Sequence, residues 1–298
     1  MLIVACPGQG SQTPGFLSPW LEAFPTLELT LRELGEACGA DLVYLGTDAE
    51  EDQIKDTANA QRLIVGSSLA IFRTALFGQR IDGVVGHSVG EFAAAAIAGV
   101  ISDAEAMQLV GSRADAMAEA AAMTPTSMAA ILGGEPSEVM QSIAELGLEV
   151  ANHNGSGQVV AAGAKDAIVN LVSSPPEKTR VIELKVAGAF HTSYMENAKI
   201  PVAALANSMS PSIPELRLWS NANGSEVESG EGFLDSLVTQ ISNPVRWDLC
   251  METMSGLEAT VVELPPAGAL AGLVKRGVPD ATAIALKNPS DLDKVSSS

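Results

Sequence analysis

The chain has 298 residues, 47% of them hydrophobic and 18% charged, so it is long enough to bury a substantial core and too apolar to be a disordered segment. Its 17 Lys and Arg against 36 Asp and Glu leave a formal charge of -19, which disfavours nucleic acid and anionic membrane as partners. No apolar run reaches the roughly 18 residues a spanning helix needs, and three scattered cysteines with three histidines in no ligand spacing signal neither a disulfide framework nor a metal site.

The opening residues 1–6 read as a buried strand rather than a signal peptide, because no basic leader precedes them and the apolar part is short. Cys6, Cys38 and Cys250, odd in number and in no paired motif, make a reduced cytoplasm the expected setting. Apolar residues spaced at three and four predict helices over 21–38 and 57–77. Residues 81–86 form a short predicted strand, followed after His87-Ser88 by an Ala-rich helix over 91–99 that ends on glycine. A further helix over 103–122 is opened by Ser102 as its cap and carries Arg113 in its middle.

From 124 to 188 the pattern changes. Strand 128–132, helix 136–146, strands 148–152 and 158–162, helix 166–173 and strand 180–186 follow in the order of a split ferredoxin-like unit. The expected architecture is a large α/β-hydrolase-like domain with a parallel sheet core, residues 1–123 and 189–298, carrying an inserted ferredoxin-like α+β domain at 124–188. After the insert come predicted helices over 191–209, 233–241, 243–257 and 270–276, and strands over 216–221, 260–264 and 282–286. The tail 296–298 is expected to fray.

Gly86-His87-Ser88-Val89-Gly90 fits Gly-x-Ser-x-Gly between an apolar strand and a helix, the setting a nucleophile elbow requires. A serine hydroxyl is a weak nucleophile at neutral pH and needs a base within hydrogen-bond reach. Of the three histidines, His87 would point to the other side of the turn and His153 falls inside the insert. His191 opens the segment that returns to the large domain; it is either the base or a structural histidine at a helix start.

Five separated motifs now give the sequence a resemblance. They are Pro7-Gly8-Gln9-Gly10-Ser11-Gln12, Gly86-His87-Ser88-Val89-Gly90-Glu91, Arg113 in Leu109-Val-x-x-Arg-x-x-x-Met117, Gly188-Ala-Phe-His191-Thr and Asn243-Pro244-Val245-Arg246-Trp247. In that order, over about residues 2 to 287, they resemble the malonyl-CoA:acyl carrier protein transacylases of type II fatty acid synthesis. The resemblance implies a ping-pong reaction through a malonyl-Ser88 ester, with His191 as base, coenzyme A as first product and the phosphopantetheine thiol of an acyl carrier protein as acceptor. It implies backbone N–H groups of Gln9 and Val89 as the oxyanion hole, the Gln240 main-chain carbonyl as the group orienting His191, and Arg113 as the clamp on the malonyl carboxylate. Gln61, Phe190 and Asn154 are implied substrate contacts, Phe190 as the residue that excludes an α-methyl group or else a core side chain. No bound cofactor, no metal, and a monomer are expected.

The rival enzyme, an esterase or thioesterase with the same elbow, expects an acid between serine and histidine and a histidine near the C-terminus; here a long stretch follows His191. A non-catalytic carrier-binding scaffold is disfavoured by the presence of Ser88, His191 and Arg113 together. Polyketide assembly or malonate decarboxylation would use the same chemistry, so the pathway stays open. Two departures from the family pattern stand out. Arg62 follows Gln61 where proline is usual, and Pro265-Pro266-Ala267-Gly268 replaces a Gly-Pro-Gly turn, which would need rebuilding if it required a positive φ. Because carrier proteins are acidic, docking on so acidic a chain calls for a local basic patch, with Arg62, Lys178, Arg180, Lys185, Lys275 and Arg276 as candidates.

Overall fold

Strand β1 (Leu2–Cys6) is apolar at every position because it lies in the middle of a sheet covered on both faces. Val4 and Cys6 pack with Trp20, Ile64 and Phe92 on one side, whereas Ile3 and Ala5 pack with Trp219, Trp247 and Val274 on the other. The computed structural model describes residues 1–296, and the expected fraying of the tail therefore lies outside the described residues apart from Ser296.

After β1 the chain forms α1 (Ser18–Ala23), α2 (Leu27–Cys38), α3 (Leu42–Thr47), α4 (Glu51–Lys55) and α5 (Thr57–Ala75). The single helix expected over 21–38 is two. Pro25 supplies no N–H and its ring disfavours helical geometry at Phe24, so α1 stops there and α2 starts afresh. The short α3 and α4 were not expected from periodicity, since five or six residues are too few to show one. They start at Asp41 and Glu50, the second through a capping box with Gln53.

Next come β2 (Gly83–Gly86), α6 (Gly90–Ile97) and α7 (Asp103–Met123), the last opened by a Ser102–Glu105 capping box. The chain then builds β3 (Thr126–Gly133), α8 (Pro136–Glu145), β4 (Glu149–Gly155), β5 (Gln158–Ala164), α9 (Lys165–Ser173) and β6 (Thr179–Glu183). Their antiparallel order is β6-β3-β5-β4, the arrangement of the split unit read from the sequence.

The returning segment differs from the helix expected over 191–209. His191 sits in a left-handed turn at φ 61°, residues 193–198 form a 3-10 helix, and only α10 (Lys199–Ala206) is α-helical. β7 (Arg217–Trp219) and α11 (Gly230–Thr239) follow. The stretch over 243–257 opens as a strand, not a helix: β8 (Val245–Arg246) pairs parallel with β4 at Asn152 and His153 before α12 (Trp247–Met254) begins. That pairing adds a fifth strand to the insert's sheet. β9 (Thr260–Glu263), α13 (Ala269–Gly277), β10 (Thr282–Ala285) and α14 (Leu292–Ser296) complete the chain. The first sheet, ordered β10-β9-β1-β2-β7, is parallel throughout.

Candidate active site

The site lies at the carboxyl ends of β1 and β2, where an open parallel sheet leaves a crevice. Between Gly86 and Gly90 the chain turns sharply, and Ser88 takes a left-handed conformation at φ 54°. A side chain on Gly90 would run into the carbonyls of Cys6 and Pro7, so only glycine lets the elbow rest this close on β1. The strained turn is held from beneath by Asn221, whose Oδ1 accepts the Ser88 N–H at 2.8 Å while its Nδ2 donates to the Gly86 carbonyl at 2.8 Å. Conformations of this sort cost about 1–3 kcal/mol and persist only when their surroundings fix them.

Ser88 Oγ lies 2.7 Å from His191 Nε2, and His191 Nδ1 lies 2.8 Å from the Gln240 carbonyl oxygen. A carbonyl can only accept, so Nδ1 carries the proton and Nε2 presents its lone pair to the serine. Burial, with Arg113 nearby, pushes the imidazole down to about 3, which keeps it neutral and basic in form at pH 7. His87 has another partner. Its Nε2 is 3.0 Å from Asn154 Oδ1 and its ring meets the Trp247 ring edge-on at 5.6 Å. Asn154 lies within β4 rather than on a returning loop, and its side-chain oxygen is engaged there.

Beneath the dyad lies a buried polar layer. Arg113, 0% exposed, donates Nη1 to Gln61 Oε1 and Nη2 to Gln240 Oε1 at 3.0 Å, and stands 5.7 Å from the Phe92 ring centroid. Its Nε has no partner among the described residues. The side chain of Gln240, for which only the carbonyl was expected to matter, also donates to the Ser88 carbonyl at 3.0 Å and to the Glu91 carboxylate. The second Glu91 oxygen accepts the Asn221 N–H at 2.7 Å. Burial pushes the Glu91 carboxyl up against the opposing pull of Asn221, Gln240 and Arg113, and burial pulls Arg113 down with Glu91 acting the other way.

Sequence reasoning did not single out Glu91 or Asn221 as site residues. Glu91 directly follows the Gly-x-Ser-x-Gly elbow, and Asn221 is a polar residue at the end of a predicted strand, both of which are usable signals.

A cavity of about 90 Å³ opens over Ser88 and His191, walled by Met117, Met128, Leu184, Val186 and Phe190. It shares Gln9 and Leu184 with two larger clefts. One, about 280 Å³, runs past Lys55 and Lys185; the other, about 480 Å³, runs past Asn154 and the start of α13 to Arg276. Neither the Gln9 nor the Val89 backbone N–H has a hydrogen-bond partner among the described residues.

Of the six basic residues considered for a docking patch, Lys185 and Arg276 line these clefts, and Lys178, Arg180 and Lys275 are exposed beyond them. Arg62 is not on the surface. It is 9% exposed and its guanidinium holds the carbonyls of Cys38, Ala58 and Gly111 and the Asp115 carboxylate at 2.7 Å, tying α2, α5 and α7 together. The proline-rich turn is also accommodated. The positive φ falls on Gly268 at 139°, beyond both prolines, the Pro265 carbonyl accepts Ser68 Oγ at 3.2 Å, and Glu263 accepts the N–H groups of Gly268, Leu270 and Ala271 at 2.8–3.0 Å. Among the described residues no helix is long and apolar enough to cross a membrane.

Residues 4–288 match the family of the acyl transferase domain. The malonyl CoA-acyl carrier protein transacylase of Mycobacterium tuberculosis strain H37Rv is 44% identical over 301 residues, covering 99% of each chain, and that of Escherichia coli K12 is 32% identical over 294 residues, covering 95% of each. The crystal structure of MCAT from Mycobacterium tuberculosis superposes with a TM-score of 0.93 at 45% identity over 99% of both chains. A malonyl-transacylase solved in complex with its type II PKS acyl-carrier protein superposes with a TM-score of 0.90 at 29% identity over 98% of both. The chain belongs to the acyl transferase family, among its malonyl CoA-acyl carrier protein transacylases.

Proposed function

We propose that the protein moves a malonyl group from malonyl-CoA to the phosphopantetheine thiol of an acyl carrier protein, supplying fatty acid chain elongation in the cytoplasm. The observation that carries this reading is a serine–histidine pair at 2.7 Å set above a buried arginine that no carboxylate touches among the described residues. The cytoplasmic setting agrees with three buried free thiols.

In the first half-reaction His191 Nε2 takes the Ser88 hydroxyl proton as Oγ attacks the thioester carbon. The C–S bond then breaks, and the proton passes from Nε2 to the departing sulfur, releasing coenzyme A and leaving malonyl-Ser88. In the second half the carrier thiol gives its proton to Nε2 and attacks the ester, and Ser88 Oγ recovers the proton as it leaves. The free N–H groups of Gln9 and Val89 receive the oxyanion, a contribution worth about 10² to 10³ in rate per donor.

Arg113 binds the distal carboxylate, with Gln61 shifting to admit it. Its unpartnered Nε agrees with this role, because a buried donor left unsatisfied costs about 1–3 kcal/mol until an acceptor arrives. Phe190 walls the acyl cavity against an α-methyl group, and Asn154 lies along the cleft that the pantetheine arm would follow.

The test is intact mass after brief exposure to malonyl-CoA. We expect a malonyl adduct that is absent in Ser88→Ala and cleared by carrier protein. Coenzyme A release with no adduct would favour a hydrolase instead.

A further inference from the structure

Glu91 and Arg113 are two buried charges that do not touch. Glu91, 1% exposed, ends the Gly-His-Ser-Val-Gly-Glu run and has no part in the transfer steps above. Between the two stands the Gln240 side chain, with Oε1 accepting from Arg113 at 3.0 Å and Nε2 donating to Glu91 and to the Ser88 carbonyl. This amide orientation is forced. One side offers only acceptors and the other only guanidinium donors, so turning the amide over would oppose donor to donor and acceptor to acceptor. Each Glu91 contact is an N–H donor, from Asn221 or from Gln240, which leaves a protonated carboxyl nothing to donate to and so holds Glu91 as a carboxylate against the upward push of burial.

A carboxylate placed directly on Arg113 would form a two-pronged ion pair and leave the guanidinium little to offer a substrate. An arginine with no counter-charge nearby would carry a large desolvation cost. One intervening amide avoids both extremes. We propose that Glu91 is a positioning residue for acyl selection: a counter-charge held one amide away from Arg113, which through Gln240 fixes the face the guanidinium presents to the acyl carboxylate. The inference rests on the reading of Arg113 as the carboxylate site.

The test exchanges the pair, Glu91→Gln with Gln240→Glu. An amide at 91 can still accept the Asn221 N–H and donate to a carboxylate at 240, which then sits directly on Arg113. Initial rates of acyl-enzyme formation from malonyl-CoA and acetyl-CoA are compared by intact mass. The malonyl-to-acetyl ratio is expected to fall on the order of tenfold. A ratio equal to wild type, with both rates merely falling together, overturns the proposal. If the exchanged chain does not fold, Glu91→Gln alone serves, since two amide NH2 groups then oppose each other and the ratio should fall severalfold; an unchanged ratio again overturns it. Arg113→Ala, measured alongside, separates the two ideas. A ratio lowered by Arg113→Ala but untouched by both Glu91 chains sinks only the role of Glu91, whereas a ratio untouched by Arg113→Ala sinks the carboxylate site itself.

Discussion

At the residue scale, His191 shows how burial sets chemistry. Its imidazole, like those of His87 and His153, is pushed below the ordinary range by burial. In the unfolded chain each would titrate near about 6.5. The folded state therefore refuses protons that the unfolded state accepts, so this contribution to stability is complete above about 6.5 and is lost as pH falls toward the depressed folded value. Glu263, raised by burial, acts with the opposite sign. The histidine contribution is best isolated by difference: Tm should fall less between pH 7 and pH 5 in His191→Gln than in wild type. Equal slopes in thermal melts would contradict the shift.

The serine and histidine were legible because an elbow motif and a short supply of histidines leave few alternatives. Arg62 was not. Its partners lie on α2 and α7 as well as its own helix, and no local pattern announces a buried arginine satisfied by distant carbonyls.

At the scale of elements, the strand–elbow–helix unit β2–α6 depends on a residue from far along the chain. Asn221, just past β7, both accepts from Ser88 and donates to Gly86. Asn221→Ala would leave the buried Gly86 carbonyl and the half-buried Ser88 N–H without this partner, at about 1–3 kcal/mol. We expect a lower urea midpoint with an unchanged m-value and slower acylation of Ser88; an unaltered midpoint would show the elbow holds itself. The order of elements could be read from periodicity because strands and long helices repeat. Short pieces such as α3, α4 and β8 do not repeat, and the left-handed turn at His191 falls on a residue type that does not announce one, so these appear only in three dimensions.

At the scale of the whole molecule, a charge of -19 opposes approach of any acidic partner until local cations take over within a Debye length, about 10 Å in ordinary buffers. Lys185 and Arg276 flank the two clefts that meet above Ser88, one from the segment leaving the insert and one from α13. Reversing either, Lys185→Glu or Arg276→Glu, should raise the apparent KM for carrier protein more than it slows acylation by malonyl-CoA. Equal effects on both half-reactions would place the residue on the coenzyme's path instead.

The pairing of β8 with β4 bears on how the two sheets move. Two residues of the returning chain are stitched into the insert's edge, and the next residue, Trp247, packs its ring against His87 behind the nucleophile. A flap joined only by its two crossings could swing on them; this one is sewn along a third seam. Any swing of the insert must therefore either part β8 from β4 or drag on the Trp247 ring behind the nucleophile.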